Sequence, residues 1–529
     1  MITVGVEAES GAVRVGGVVR EHRASRWSVL ALLCFSLLLI AVDATVLHIA
    51  VPALTAALEP SAVQLLWIID VYSLVVAPLL VTFGTLGDRF GRRPFVLAGY
   101  VVFGVASLSA AFAGSAGALI VSRAVLGVGG AMIMPATLSI IRQVFTDRRE
   151  RAIALGVWSA VAAAGAAVGP LIGGVLVEHL WWGAVFLINV PVLAVVLPVA
   201  VRILPASPRR TGQRWDALSA ALSTLGILAV AFGLKEAGYG HAMGRGVSGV
   251  VFLAGAGLLV WFVRRQRRLA FPLLDLGLFR QRGFATGVGC VLLSIFALVG
   301  LELMLAQYLQ LVLGLSPLEA AVRMLPLMLA AIAGGLAAAH VLQRAGLRAT
   351  VSGGLALTAL SLAPVLTWGA EPHETMLTVC FAGIGFGVEV ALLAASDTIM
   401  ASVSESRAGG AAAIEETAYE LGAGLGIAVL GTITTMVYAP ALGTVPGVPG
   451  PLMGEARESL AAAAHAARRT GGAPGAELMD AARAAFVTAL HSTVLVSLAL
   501  LAVTAVAVAV LIPRPAPPPA AEEPERVPV

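Results

Sequence analysis

Charge is what this 529-residue chain has least of. Asp, Glu, Lys and Arg make up 12% of it, against roughly 25% in soluble domains. That deficit excludes a water-soluble fold. The formal net charge of +4 is too small to suggest a nucleic-acid partner. Lys235 is the only lysine, and with Ala, Gly, Arg and Val dominant the composition suggests a high-GC bacterial source. The three cysteines, Cys34, Cys290 and Cys380, stand alone in separate apolar runs, which excludes a disulfide framework and metal-ligand spacing. The chain has no GxxxxGK[ST] loop, so no ATP-driven pump is expected. The eight histidines are scattered. His48 and His340 read as structural, no catalytic constellation appears, and no metal or cofactor is expected. Residues 1–26 lack the apolar core of a cleavable signal peptide, so the first apolar run is expected to remain as a membrane span.

Hydrophobic residues are what the chain has in plenty: 59%, with a mean hydropathy of +0.94. A helix needs about 20 apolar residues to cross the hydrocarbon core. Fourteen such runs are present, at 28–51, 63–86, 94–113, 117–141, 152–177, 184–204, 216–235, 247–263, 284–306, 319–342, 349–369, 376–399, 409–436 and 485–512. Arginines mark alternate loops: Arg89/Arg92/Arg93, Arg142/Arg148/Arg149/Arg151, Arg209/Arg210/Arg214, Arg264/Arg265/Arg267/Arg268/Arg280/Arg282, Arg344/Arg348 and Arg407. The loops after spans 1, 3, 5 and 11 carry no Lys or Arg. The positive-inside rule then puts both termini in the cytoplasm. Only the loop after span 7 (Lys235, Arg245) and the long segment 437–484 break the alternation.

The reading divides the chain into a tail (1–26), a six-helix bundle (27–205), a basic linker with two inserted spans (206–282), a second six-helix bundle (283–512) and a disordered Pro/Glu-rich tail (513–529). Segment 437–484 is expected to form two short helices around a Gly/Pro turn on the outer face. Arg89-Phe-Gly91-Arg-Arg93 recurs faintly as Arg344-Ala-Gly346-Leu-Arg348, as in transporters built from internal repeats.

Carboxylates inside the apolar runs carry the most information. A charged side chain in hydrocarbon costs several kcal/mol unless protonated, paired or wet, so such acids usually mark an ion or substrate path. Asp43 lies in span 1, Asp70 in span 2, and Glu415, Glu416 and Glu420 in span 13. At 1.5 Å per residue Asp43 is roughly 22 Å up its span and Asp70 roughly 10 Å below the outer edge. Glu415 and Glu416 lie about 10 Å up, with Glu420 near 16 Å. The five are expected to run vertically and to surround one cavity. Arg123 in span 4 is the expected counter-charge of Asp43. Glu302 and Glu389 are lesser members of the set. Trp67, Tyr72, Tyr308 and Tyr419 flank the acids and are candidates to stack on a flat cation.

The segment Gly84-Thr-Leu-Gly-Asp88-Arg89-Phe-Gly91-Arg92-Arg93 resembles motif A of the major facilitator superfamily. Arg123 and Gly127 are similar to its motif B, with Leu126 in place of the usual Gln. Gly165, Gly169, Pro170, Gly173 and Gly174 look like motif C of drug antiporters, and place glycines along one helix face for close contact. Pro170 is expected to bend its helix. DATVLHIAVP, LINVP (187–191), PLLDLGLFR (272–280) and QYLQLVLGLSP (307–317) look like segments of fourteen-span drug:proton antiporters, nearest to the quaternary-ammonium and multidrug exporters. The resemblance covers nearly the whole chain. It implies an all-α polytopic fold of two six-helix bundles plus two central helices. It also implies proton-driven efflux of hydrophobic cations from a bacterial cytoplasm by a monomer that uses the proton gradient. Drugs, protons and lipid are the implied partners, and the acids of spans 1, 2 and 13 handle proton and drug. Related exporters carry a further acid in span 10. Here that stretch (LPLMLAAIAGG) is apolar, which argues against divalent-cation export. The alternatives are a dedicated exporter of one endogenous antibiotic and, less well supported, a membrane sensor or importer.

Overall fold

The computed structural model describes residues 25–205, 216–239, 244–270, 272–369, 374–403 and 408–511. The two expected tails (but for residues 25 and 26), Arg209, Arg210, Arg214 and Arg407 lie outside these. So do the side chains of Asp88, Arg142, Arg148, Arg149, Lys235 and Arg245. Among the described residues every regular element is helical, and fourteen helical stretches are long and apolar enough to cross a membrane, the number expected.

The first bundle comprises α1 (Arg26–Leu58), α2 (Ala62–Phe90), α3 (Arg92–Ala111), α4 (Ala116–Val144), α5 (Arg148–His179), α6 (Ala184–Leu187) and α7 (Asn189–Ile203). An inserted pair follows, α8 (Ala217–Tyr239) and α9 (Gly244–Gln266). The second bundle comprises α10 (Arg282–Gln307), α11 (Pro317–Leu362), α12 (Glu374–Ala401), α13 (Ala408–Ala441), two short helices α14 (Gly450–Ala456) and α15 (Leu460–Thr470), and α16 (Gly472–Leu511). Helix starts are set by local chemistry. Ser61 with Gln64, and Ser316 with Glu319, form capping boxes that satisfy otherwise orphan N–H groups.

Within the first bundle α1 packs on α5, and α4 on α2 and α3; within the second, α10 packs on α13 and α11 on α12. The bundles meet chiefly through α2 with α13 and α5 with α11, and α8 joins the first of these seams. The α8–α9 pair is tied at its base by Arg265, whose Nε and Nη2 each donate at 2.9 Å to Asp216. The turns around residues 91, 147, 281 and 346 share one end of the molecule, the basic end. Helices α14 and α15 cover the other, the cap end.

Three local readings need correction. Motif A is not a loop: Gly84–Phe90 completes α2, and Gly91 alone (φ 97°, ψ 141°) makes the turn into α3. Gly346 (φ 73°, ψ 161°) does the same inside α11, so the two arginine-flanked pentapeptides share one special backbone conformation that favours glycine. Span 6 is interrupted between α6 and α7, inside LINVP. In segment 437–484 the stretch after Gly471 is no separate helix. It is the start of α16, and the short pair α14–α15 lies wholly before it. The reason is that only Gly471 (φ 67°) and Gly472 (φ 56°) leave the helical region there.

Candidate functional site

A cavity of about 930 Å³ lies between the two bundles. Its lining runs from Arg92, Ser139, Asp275 and Gly410 at the basic end to Thr45, His48, Glu302 and Ile427 deep inside. Beyond that depth the bundles touch. Gln310 Nε2 donates to the Ile49 carbonyl at 3.2 Å, and Leu318 N–H donates to Glu178 Oε2 at 3.1 Å. Gln310 belongs to a π-helical turn, Tyr308–Val312, a rare geometry that often marks functional sites.

Six carboxylates line this cavity: Asp275 at the basic end, and deeper in Glu302 of α10, Glu389 of α12, and Glu415, Glu416 and Glu420 of α13. Glu420 is 6% exposed and is hydrogen-bonded to Ser73 of α2, across the seam. Ser396 Oγ of α12 donates to Glu415. Glu302, Glu389 and Glu416 have neither a hydrogen bond nor an ion pair among the described residues. Tyr419 is 38% exposed although it sits mid-helix, because it faces the cavity. Tyr72, His48 and Trp158 line the first bundle's wall.

Asp43 is elsewhere. It is 0% exposed and absent from the cavity lining. Arg123 Nη1 donates to Asp43 Oδ2 at 3.0 Å, and Asn189 Nδ2 donates to Asp43 Oδ1 at 2.8 Å. The same amide donates to Ser107 Oγ at 3.1 Å. Arg123 spends its other donors on the Ile68 and Ile69 carbonyls, at 3.2 and 3.3 Å, and lies over the Tyr72 and Phe186 rings, 5.0 and 5.8 Å from their centroids. Burying two charges is tolerated only when geometry and extra hydrogen bonds offset desolvation, as here. Arg123 does line the cavity, so it alone connects Asp43 to it.

The expectation of one ring of acids thus fails for its first two members. Asp43 is buried inside the first bundle, Asp70 is fully buried on α2, and neither lines the cavity. Depth along a helix could be read from residue number, but not the direction each acid faces. Two aromatics are also corrected. Trp67 packs against Phe232 of α8, 6.2 Å between ring centroids, and Tyr308 stacks on Trp368 at 5.5 Å with its hydroxyl donating to the Gly369 carbonyl. Neither lines the cavity: the first contact joins α2 to α8, and the second lies within the second bundle. Asn189 was missed as an individual residue. The signal for it was an amide in an otherwise apolar span.

The glycines of motif C face two ways. A Cβ on Gly165, Gly169 or Gly173 would lie 2.8 Å from Ala41 Cβ, 2.0 Å from Thr45 Oγ1 or 2.8 Å from the Val46 carbonyl, so these three seat α5 on α1. Gly174 faces α11, where a Cβ would lie 2.9 Å from the Pro317 carbonyl. Pro170 sits within continuous α5 and lines the cavity. In motif A, Gly84 lies against Pro135, Arg92 Nη1 donates to the Ser139 carbonyl at 2.9 Å, and Arg93 donates to the Val201 carbonyl. Arg89 lies 5.1 Å from the Phe90 ring centroid. Among the described residues no cluster of His, Cys, Asp and Glu has the arrangement of a metal site.

This architecture has known counterparts. The chain is 41% identical over 472 residues to the methyl viologen resistance protein SmvA of Salmonella typhimurium, covering 89% of this chain and 95% of that protein. It is 40% identical over 479 residues to the multidrug efflux pump LfrA of Mycolicibacterium smegmatis, covering 90% and 95%. Its fold resembles the crystal structure of a bacterial homolog of the human lysosomal transporter Spinster in an inward-facing, occupied conformation. The TM-score there is 0.65 at 17% identity, over 92% of this chain and 97% of that one. Residues 33–427 match the profile of the Major Facilitator Superfamily, and the chain belongs to that family.

Proposed function

We propose that this protein exports hydrophobic, cationic drugs or antiseptics across a bacterial cytoplasmic membrane in exchange for protons, as a single chain with both termini in the cytoplasm and no bound cofactor. The observation that carries the reading is the cavity wall: five glutamates, of which three have no partner among the described residues. A lipophilic cation supplies the charge they lack, and a proton supplies the same neutralisation in its absence. Cation and proton therefore compete for the same carboxylates, and binding of one favours release of the other. Two relatives at 40–41% identity bear the names of a methyl viologen resistance protein and a multidrug efflux pump, which supports the same reading. The cavity lining at the basic end and the contacts at the cap end fit an inward-open state. The test is pH-gradient-driven efflux of ethidium from everted vesicles, wild type against Glu420→Gln. The variant is expected to lose at least tenfold in rate; full retention sinks the proposal.

A further inference from the structure

Toward the cap end of the central cavity lies a second, smaller one of about 40 Å³. It sits between the bundles. Ile69 of α2 forms part of one wall, Leu303 and Gln307 of α10 part of the other, and Glu458 and Ser459 stand at its cap end. Ile69 lines both cavities, so on the α2 side one side chain separates them. On the α10 side Glu302 lines the central cavity and the next residue, Leu303, lines the second. The size decides what can enter. A water needs about 10–15 Å³, so the second cavity has room for a few. Pockets that take drug-sized ligands measure roughly 300–1,000 Å³.

Its polar groups are arranged for water. Gln307 is 5% exposed, and its amide makes no hydrogen bond among the described residues. Burying an amide without a bond is costly, and water in an adjoining polar cavity removes that cost. Ser459 Oγ accepts from Ala462 N–H at 3.1 Å and donates to no described residue. Glu458 is exposed, so it joins the cavity to the outside. At the inner end Gln307 lies five residues beyond Glu302, roughly 7.5 Å toward the cap. Few charges intervene. Residues 62–69 of α2, 303–307 of α10 and 431–438 of α13 carry none. On α16, Arg483 donates to the Leu311 carbonyl and lies 3.6 Å from Asp480. At the mouth, Glu455 beside Glu458 is held by His465 and Arg469. Around Glu302 the titratable neighbours are Tyr419 and His48 of the cavity wall.

We propose that the second cavity holds a short water chain that carries protons from the cap side to Glu302, with Glu458 at its mouth, Gln307 holding the waters in place and Ile69 as its shutter. The inference rests on the proposal that efflux is exchanged for protons. Each step is a relay in which a water takes up one proton and gives up another. The last proton turns the Glu302 carboxylate into a neutral carboxyl, the charge change that favours release of a cation. In the state seen here Ile69 closes the chain, so the open central cavity has no proton contact with the outside. Helices α2 and α10 belong to different bundles. The first movement between the bundles therefore draws Ile69 away from α10 and joins the two volumes. Protons pass before any opening is wide enough for a drug.

The experiment uses the full chain reconstituted in liposomes, with ethidium as the transported cation and pyranine reporting internal pH. Gln307→Leu fills the space with an apolar group. It is expected to slow pH-gradient-driven ethidium transport at least tenfold while leaving ethidium exchange at equal pH within about twofold, since exchange needs the bundles to move but no net proton transfer. Gln307→Ser, which keeps a hydroxyl and leaves room for a further water, retains driven transport. Ile69→Ala removes the shutter and is expected to raise the proton leak in the absence of ethidium at least fivefold, and adding Gln307→Leu returns the leak to the wild-type level. Equal losses of driven transport and exchange in Gln307→Leu, or full driven transport in it, overturn the water route while leaving proton exchange standing. Absence of a leak in Ile69→Ala also overturns it, even where Gln307→Leu fails to fold. A wild type whose ethidium transport ignores the pH gradient overturns the exchange reading itself, and the route with it.

Discussion

Arg123 stands between Asp43 and the cavity: its Nη1 lies 3.0 Å from Asp43 Oδ2, and the same side chain forms part of a cavity wall that Asp43 does not reach. Asp43 therefore acts through Arg123 and not on the cation directly. Asp43→Asn is expected to keep equilibrium binding of a cationic dye within a few-fold while abolishing its pH-gradient-driven efflux. Glu420→Gln is expected to weaken both. A loss of dye affinity in Asp43→Asn as large as that in Glu420→Gln would place Asp43 in the binding site. Asp43→Ala is a different perturbation. It leaves a buried guanidinium without its counter-ion, at a cost of about 3–5 kcal/mol, visible as a lowered midpoint of thermal unfolding. Adding Arg123→Met should recover part of that loss.

Asn189 joins three parts of the first bundle with one amide group, since its Nδ2 reaches both Asp43 Oδ1 and Ser107 Oγ. Asn189→Ala removes one of the donors that stabilise buried Asp43. Leaving a buried acceptor short of a bond costs about 1–3 kcal/mol, more for a charged group. The expected result is a destabilised protein whose efflux optimum moves in pH. Asn189→Asp is expected to be worse, since it puts a second acid beside the first. Comparing the pH profiles of the two variants separates lost stability from altered proton handling.

Glycines four residues apart on α5 make the α1–α5 contact, and a fifth-position neighbour makes the seam with α11. Gly173→Ala drives a methyl toward the Val46 backbone carbonyl, which cannot swing away as a side chain end would. Overpacking of this kind costs about 1–3 kcal/mol, so a lower unfolding midpoint is expected. Gly174→Ala meets the Pro317 carbonyl of the other bundle. Its cost falls only on the state in which the bundles touch at the cap end. The expected signature is faster labelling of a cavity cysteine from the cap end, with little change in unfolding. Similar behaviour of the two variants would remove the distinction between the two faces.

How much of this was legible beforehand follows from what sequence pattern encodes. Apolar runs of spanning length, broken by arginines, reveal the fourteen helices, because membrane thickness and charge cost act on local sequence. The acids of span 13 and Glu302 and Glu389 do face the cavity. The position of Asp43 was not legible, because α1 is apolar on every side and offers no periodicity from which to read its facing. Its partner Asn189 is 146 residues away in the chain. Trp67 and Tyr308 were misplaced for a similar reason. An aromatic near an acid in sequence packs wherever the adjoining helix leaves room, and here that was against Phe232 and Trp368. The start of α16 was hidden by the glycines at 471 and 472, which break the helix once rather than twice.

The cap offers a prediction with a definite sign in pH. Helices α14 and α15 belong to the second bundle, yet they bind the first at the α1–α2 turn. Glu458 accepts a hydrogen bond from Ala62 N–H at the start of α2, and His465 Nε2 lies 3.5 Å from Glu59 Oε1 while its Nδ1 lies 2.9 Å from Glu455 Oε1. Arg469 Nη1 lies 3.2 Å from Glu455 Oε2 on the same helix face. These ties must part when the cap end opens. Partial burial at the seam raises the Glu458 carboxyl above its ordinary value of 4.5; the Ala62 N–H opposes this and nearby Glu455 adds to it. The capped state therefore holds the Glu458 proton more tightly than an open state in which the carboxyl is solvated. Acid favours the cap. The contribution is complete below the ordinary carboxylate value and is lost as pH rises through the raised one. The measurement is labelling of Ala44→Cys, a cavity position, from the cap side, with Cys34, Cys290 and Cys380 replaced and rates normalised to Gly454→Cys on the exposed face of α14. The normalised rate should climb with pH across that window in the parent and stay flat in Glu458→Gln, which is locked in the neutral form. An unchanged slope in Glu458→Gln would assign the pH response to another group.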